Sequence, residues 1–285
     1  MRTVRIADGA QERRGVVEGD VVVLDDGTRL PEAEVAYLAP VRPSKIIAVH
    51  LTYRSRIEEY AARTPPYPSY FMKPPSALNG HRGPLRRPAG ARFLNYEGEL
   101  AVVIGRPMHG VAIDDALAHV EGYAVANDVG LHDFRHADRG SMLRVKGQDG
   151  FLPISPSVVP AAEFDPTRFE LRTLLNGEVV QQATAADLIW GVAYQLADLS
   201  RLITLEPGDV ILTGTPANSR PMEPGDTVAI EIDGLGRVEN TVVDWAVDLG
   251  EAGEQLAVSP NTLHVALAVP EDEAERMAAA EGSAS

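Results

Sequence analysis

Cysteine is missing from all 285 residues. Its absence excludes disulfides, thiolate metal sites, a cysteine nucleophile and thiol redox chemistry. Long apolar runs are missing too. No stretch approaches the length of a membrane span, and the opening MRTVRIADGAQERR lacks the apolar core of a signal peptide. The expectation is a cytoplasmic protein with no membrane partner. Basic residues are scarce: 26 Lys and Arg stand against 41 Asp and Glu, for a net charge of −15. Nucleic-acid binding needs a basic face, so that class of partner is excluded as well. There is no G-x-S-x-G elbow, and the glycine-bearing TGTP lacks the GK[ST] of a phosphate loop.

What remains is a chain with 45% apolar and 24% charged residues, long enough to bury a sizeable core. It reads as three parts. Residues 1–44 contain short apolar stretches such as GVVEGDVVVLDDG with hairpin-like turns, a small β-rich appendage. Residues 45–246 carry every dense strand and turn signal and form the main domain. Residues 247–285 are an acidic, alanine-rich extension whose last ten or so residues are expected to fray. EPGD occurs at 206–209 and again at 223–226, each copy preceding an apolar stretch, so both predict loops that feed strands.

Strands dominate the middle. FELRTLLNGEVVQQAT predicts a hairpin turning on Asn176-Gly177. DVILTGT and DTVAIEIDGLGRVENTVV predict further strands. Leu188, Val192, Leu196, Leu199 and Ile203 recur at spacings of three and four and predict one long helix, with Trp190 inside it as core. A shorter helix is expected through DDALAHVEG with Asp114 as its cap. Strand-rich with a few packed helices means α+β, mostly β, and not a regular βαβ alternation.

In NYEGELAVVIG, Glu97 and Glu99 stand two apart where a strand begins. Side chains alternate along a strand, so both carboxylates share one face. A solvated edge strand is the plain explanation for such a pair. Asp128, closing the apolar GYAVAND, shifts the balance. Three acids from neighbouring strand ends make an all-oxygen face that suits Mg²⁺ or Mn²⁺ and disfavours zinc or copper. His132 and His136 have the spacing of a helical zinc pair, but Gly130 and the strand end favour a loop, with the histidines facing substrate or solvent.

NYEGELAVVIG, EGYAVANDV, LNGEVVQ, LEPGDVILTGTP and GDTVAIEIDGLGRVENTV occur in the order seen in the fumarylacetoacetate hydrolase family, which the chain resembles over residues 45–245. The resemblance implies a β-rich sandwich-like roll, usually a homodimer, acting on 2-oxo acids and their enols. It implies that Glu97, Glu99 and Asp128 hold a catalytic Mg²⁺ or Mn²⁺. It assigns Lys146, in MLRVKGQDG, to the chemistry. The ammonium would stabilise an enolate or move a proton, and Arg135, Arg139 and Arg144 nearby would draw in a di- or tricarboxylate. Thr215 matches a threonine that holds the substrate carboxylate, against a plain turn role beside Gly214. Lys73, in YFMKPP, matches a position near the cleft mouth, or else only fixes a loop.

The departures are equally informative. Where the family's lid resembles N-Y-x-x-H-x-x-E, this chain has LTYRSRIEEY. Thr52 replaces the Asn, Tyr53 is kept, Arg56 takes the histidine's place and Glu59 keeps the acid. Arginine cannot act as the base that activates water. Past Asp128, His132 and Arg135 stand at the family's arginine and glutamine positions, and Asp133 keeps the usual acid. YRSR (Tyr53, Arg54, Arg56), LRVKGQDGFLPIS and LRTLLNGEVVQQATAADLIWGV most resemble the isomerase/decarboxylase branch of homoprotocatechuate (4-hydroxyphenylacetate) degradation. The implied substrate is 5-carboxymethyl-2-oxo-hex-3-ene-1,7-dioate, decarboxylated to 2-hydroxyhepta-2,4-diene-1,7-dioate, which is then isomerised. Arg56 would bind a distal carboxylate. The alternatives are an acylpyruvate or fumarylpyruvate C–C hydrolase, and a binding protein that has lost catalysis.

Overall fold

The computed structural model describes residues 2–9, 11–138, 140–246 and 250–282. The strand-and-turn punctuation of the first forty residues produces a five-stranded sheet. Its strands are Arg2–Asp8, Gln11–Glu18, Val21–Leu24, Arg29–Pro31 and Ala36–Leu38, and it buries a small core of its own around Val4, Ile6, Val22 and Leu24.

Two larger sheets follow. The first runs in the order Val159–Pro160, Val120–Asn127, Gly98–Ile104, Val210–Leu212, Ile46–His50, Ser69–Lys73. The second runs Glu178–Thr184, Glu170–Leu175, Thr227–Ile232, Gly236–Trp245, Leu85–Pro88. Most pairings are antiparallel. Val210–Leu212 beside Ile46–His50 and Gly236–Trp245 beside Leu85–Pro88 are parallel. The sheets pack face to face on one apolar core. The architecture is therefore mostly β with a few helices, a mixed sandwich.

Gly98–Ile104 lies inside the first sheet and is buried along its whole length, which is why ELAVVI does not alternate. The solvated-edge explanation of Glu97 and Glu99 fails on this point. Gly98 between the two acids has a packing reason. A Cβ there would lie 2.3 Å from Thr173 Oγ1 and 3.2 Å from Ile230, both on the opposing sheet. Only glycine lets the sheets close while its neighbours turn the other way.

The Asn176-Gly177 turn is as expected, joining its strands with positive φ at both residues. The two EPGD copies are the same turn used twice. In each, the Asp side chain accepts from the Glu N–H at 2.7 Å, and Gly208 and Gly225 take positive φ.

The helices differ from expectation. The long one is only Val192–Ser200 (α5; α1 to α4 are Arg54–Glu59, Ile113–Ala116, Arg135–Asp138 and Leu143–Lys146). Leu188 instead bridges Tyr53, and Ile189 N–H donates to Thr52 O at 2.7 Å. Pairing with the lid thus holds Leu188 out of the helix, and Trp190 lies in a bend that precedes it. Ile203 lies beyond its end. DDALAHVEG gives one α-turn, α2, continued by a 3-10 turn over Leu117–His119; Ala112 and not Asp114 precedes it, and Asp114 sits in its first turn. His132–Phe134 is a 3-10 turn running into α3, so the histidines lie on helical turns where a loop was expected.

The C-terminal expectation needs the largest correction. The extension forms α6 (Pro260–Leu267) and α7 (Glu271–Gly282), packed on Phe93 through Leu263, Ala266 and Ala274, so of the last ten or so residues, expected to fray, those up to Gly282 are helical. Arg92 fixes Glu281 with bonds of 2.9 and 3.0 Å. Residues 283–285 lie outside the described residues. Among those described, no helix is long and apolar enough to cross a membrane.

Candidate active site

Where Val120–Asn127 ends, its backbone and side chain grip the start of Gly98–Ile104. Asn127 Oδ1 accepts from Glu97 N–H at 2.8 Å, and Asp128 N–H donates to Glu97 O at 2.8 Å. This clamp brings the acids together. One carboxylate oxygen from each of Glu97, Glu99 and Asp128 lies within 4.8 Å of the others, and all three side chains are buried.

Two lysines meet this charge. Lys146 Nζ, from the last turn of α4, lies 2.7 Å from Glu97 Oε2, 3.0 Å from Asp128 Oδ2 and 2.6 Å from Asp128 O. Lys73, on the strand after the lid, bonds Asp128 Oδ1 and donates to Phe151 O at 2.9 Å. Burial alone would pull the Lys146 ammonium down, but Asp128 and Glu97 hold it above its usual range, so it stays charged. Burial and the neighbouring Lys146 push Lys73 down despite Asp128. Asp128, with two ammonium neighbours, sits below its usual range although burial opposes this.

Glu99 is the odd member. It accepts from Gly214 N–H at 2.7 Å and forms no ion pair among the described residues. Burial first, then the Asp128 and Glu97 charges, push its carboxyl well above the usual range. Three carboxylates thus meet in a buried, oxygen-only cluster, with Lys73, Lys146 and, at 3.5 Å from Glu97, Arg56 around them but none paired to Glu99 among the described residues. Such a donor set fits a hard divalent cation.

A cavity of about 460 Å³ opens beside the triad. Of the residues singled out from the sequence, Arg56, Glu97, Glu99, Asp128, His132, Arg135, Lys146 and Thr215 line it. Lys73 lies behind Asp128. Tyr53 is fully buried with an unpartnered hydroxyl, and Arg54 is exposed; neither lines the wall. Arg139 lies outside the described residues, and Arg144 pairs with Asp138 at 3.4 Å.

The lid is an electrostatic unit. Arg56 is buried, 2.7 Å from Glu59 Oε2 and 3.5 Å from Glu97, with its guanidinium over the Tyr60 ring at 4.4 Å. Glu59 also takes Arg220 at 2.8 Å and Asn218 N–H at 3.0 Å. Although burial would raise Glu59, Arg56 and Arg220 hold it below the usual range, which makes it a weak base. Arg56 is already neutralised by these partners. Arg135, half-buried, forms no ion pair among the described residues, and burial draws its guanidinium below its ordinary value.

His132 is buried with neither ring nitrogen partnered. Burial, Arg135 and Lys146 keep it well below the usual range, so it is neutral at physiological pH. His136 faces away, 2.8 Å from Glu254. His50, also on the wall, is lowered to about 4 by burial and by Lys146.

Gln181 escaped the sequence reading. Its Oε1 accepts from Gly98 N–H at 3.2 Å and Thr173 Oγ1 at 2.8 Å. Its Nε2 reaches Thr215 Oγ1, Pro216 O and Ala217 O at 3.2, 2.9 and 3.0 Å. It ties the E-G-E segment to the TGTP loop. The available signal was a glutamine in the middle of the LNGEVVQQAT strand.

Residues 45–243 match the fumarylacetoacetate (FAA) hydrolase C-terminal family. The 4-hydroxyphenylacetate degradation bifunctional isomerase/decarboxylase of Escherichia coli is 40% identical over 199 residues, 70% of this chain and 46% of that enzyme, so the chain spans about half of that relative. The structure of 5-carboxymethyl-2-hydroxymuconate delta-isomerase from Mycobacterium smegmatis has a TM-score of 0.75 at 38% identity, over 87% of this chain and 100% of that one. Maleylpyruvate hydrolase from Sphingobium sp. SYK-6, solved with manganese(II) and pyruvate, has a TM-score of 0.72 at 30% identity, over 86% and 99%.

Proposed function

The chain belongs to the fumarylacetoacetate hydrolase family, and from that premise we propose that it is a divalent-metal-dependent isomerase/decarboxylase of 2-oxo and 2-hydroxy-dienoate dicarboxylates. Its residues 45–246 form the catalytic part, and it works as a cytoplasmic homodimer in aromatic catabolism. A hydrodynamic mass near the 30.6 kDa of one chain would contradict the dimer. The observation that carries the reading is the lid: Glu59 is saturated by Arg56, Arg220 and Asn218, so no free base stands there to activate water.

Glu97, Glu99 and Asp128 would hold Mg²⁺ or Mn²⁺, whose Lewis acidity at the oxygens of a 2-oxo acid makes electron withdrawal from the carbon chain favourable. Lys146 places a charged ammonium at the same cluster, where it stabilises negative charge developing on substrate oxygen. Thr215, set by Gln181, offers a hydroxyl to the substrate carboxylate. In decarboxylation the bond to the departing carboxylate breaks, CO₂ leaves, and the electron pair remains on the substrate until a proton is taken up. Neutral His132 on the cavity wall is suited to move that proton and the one shifted in isomerisation.

That same unpartnered imidazole supports the second reading, an acylpyruvate or fumarylpyruvate hydrolase, because it could activate water. The deciding experiment incubates the Mn²⁺-loaded protein with 5-carboxymethyl-2-oxo-hex-3-ene-1,7-dioate and, separately, with fumarylpyruvate. CO₂ release from the first with no pyruvate from the second is expected. Efficient pyruvate release would establish the hydrolase.

A further inference from the structure

Everything past residue 243 lies outside the family match, yet α6 and α7 build part of the cavity wall. Asn261, His264 and Val265 of α6 and Glu271 at the head of α7 line it. The attachment reaches the segments that carry the site. Tyr60, which ends the lid, donates its hydroxyl to Val265 O at 3.0 Å, and its ring meets that of His264 at 5.5 Å. Thr262 Oγ1 donates to His132 O at 3.2 Å, and Asn95 Nδ2 to Ala266 O at 2.9 Å. The helical pair is thus seated on the lid, on the His132 turn and beside the strand entering the acid cluster.

Arg135 is the second, independent observation. Arg56, Lys146 and Lys73 each have carboxylate partners at the site. Arg135 lines the same cavity and forms no ion pair among the described residues. Its Nε donates to Asn261 Oδ1 at 3.3 Å, and its Nη1 contacts Met142 Sδ at 3.9 Å. Both partners are neutral, so they orient the fork without consuming its charge. A half-buried guanidinium without a counter-ion is costly unless an anion arrives from outside. Glu271, on the same wall, discourages that anion from settling at the α7 side.

We infer that α6 and α7 complete the substrate pocket and, through Asn261, set Arg135 to receive the second carboxylate of a dicarboxylate substrate, so that the C-terminal segment selects for the distal charge. The inference rests on the 2-oxo acid reading of the cavity. It moves distal recognition from Arg56, which the lid neutralises, to Arg135. Asn261 acts here as a positioning residue.

Calorimetry on the full, Mn²⁺-loaded chain tests it with two ligands of equal length, 2-oxoadipate and 2-oxohexanoate, which lacks only the distal carboxylate. The dicarboxylate should bind roughly 10- to 150-fold more tightly, the range for a charge-assisted bond. Arg135→Met should bring the ratio near one. Asn261→Asp places a competing carboxylate beside Arg135 at an exposed position that does not threaten folding, and should cut the ratio roughly three- to ten-fold. Asn261→Gln keeps an acceptor and should restore most of it. A purely structural helix would not respond to charge in this way. Equal binding of both ligands by the unmutated protein would overturn the inference and leave the 2-oxo acid reading standing; binding of neither would overturn both. A ratio that falls in Arg135→Met but is unmoved in Asn261→Asp would refute the role given to the C-terminal segment.

Discussion

Glu99→Gln should make the metal-free protein more stable while it destroys metal binding. The Glu99 carboxylate has oxygen neighbours from Glu97 and Asp128 within 4.8 Å. At an effective dielectric constant of about 20, each like-charge pair at that separation costs about 3.5 kcal/mol. Lys146, 2.7 Å from Glu97 and 3.0 Å from Asp128, offsets much of this, which leaves about 1–3 kcal/mol against the folded state. Glutamine has the same shape and can still accept from Gly214 N–H through its carbonyl oxygen. The pH dependence follows from the raised carboxyl. The folded state holds this proton more tightly than the unfolded chain, so stability falls as pH rises from about 4.3, the unfolded value, through the folded one. Above that window the full cost is present in the parent and absent in the variant. In a pH series of urea unfolding with a chelator, the advantage of Glu99→Gln over the parent should therefore grow as pH rises and level off at about 1–3 kcal/mol. With Mn²⁺ at a hundred times its dissociation constant the parent gains about 2.7 kcal/mol that the variant largely forgoes, so the order should even out or reverse. If the chelated variant is instead less stable than the parent by about 1 kcal/mol or more, Glu99 is not an uncompensated charge, and the argument for a cation there loses its footing.

Gln181→Leu should cost about 2–4 kcal/mol in denaturant unfolding, because buried Gly98 N–H and Thr173 Oγ1 lose their acceptor. Its kcat/KM should fall further than stability explains, since the TGTP loop loses its tie; unchanged activity would show that Thr215 needs no such support. Asp209→Asn should destabilise by about 2–3 kcal/mol, as the Asp209 carboxylate takes Ser44 Oγ at 2.6 Å, Lys45 N–H at 3.1 Å and Glu206 N–H at 2.7 Å. Burial opposes ionisation there, but Lys45 and Ser44 hold this carboxyl below its usual range. Its stabilisation is thus present above about pH 3.9 and lost as pH falls through the folded value. The variant should therefore show a flatter acid limb in a pH series of unfolding midpoints.

The local features were legible because short-range rules determine them. Asn-Gly between apolar runs makes a hairpin, Pro-Gly-Asp makes the two EPGD turns, and E-G-E before an apolar run puts two carboxylates on one side of a strand. The E-G-E motif and Asp128 mark the acid triad along the chain. Residues that are far apart in sequence decided the rest. Gly98 has no side chain because Thr173 and Ile230, more than seventy positions later, occupy the space. Leu188 looked helical by spacing, but pairing with Tyr53 held it extended. Arg56 looked free to bind substrate until Glu59 and Glu97 were found around it. The last ten or so residues read as fraying from their composition, which cannot show that Phe93 gathers Leu263, Ala266 and Ala274 and so seats the helix that runs on to Gly282. Periodicity and turn chemistry depend on neighbours a few residues away and can be read along the chain. Charge compensation and close packing depend on partners that only the folded chain brings within a few ångströms.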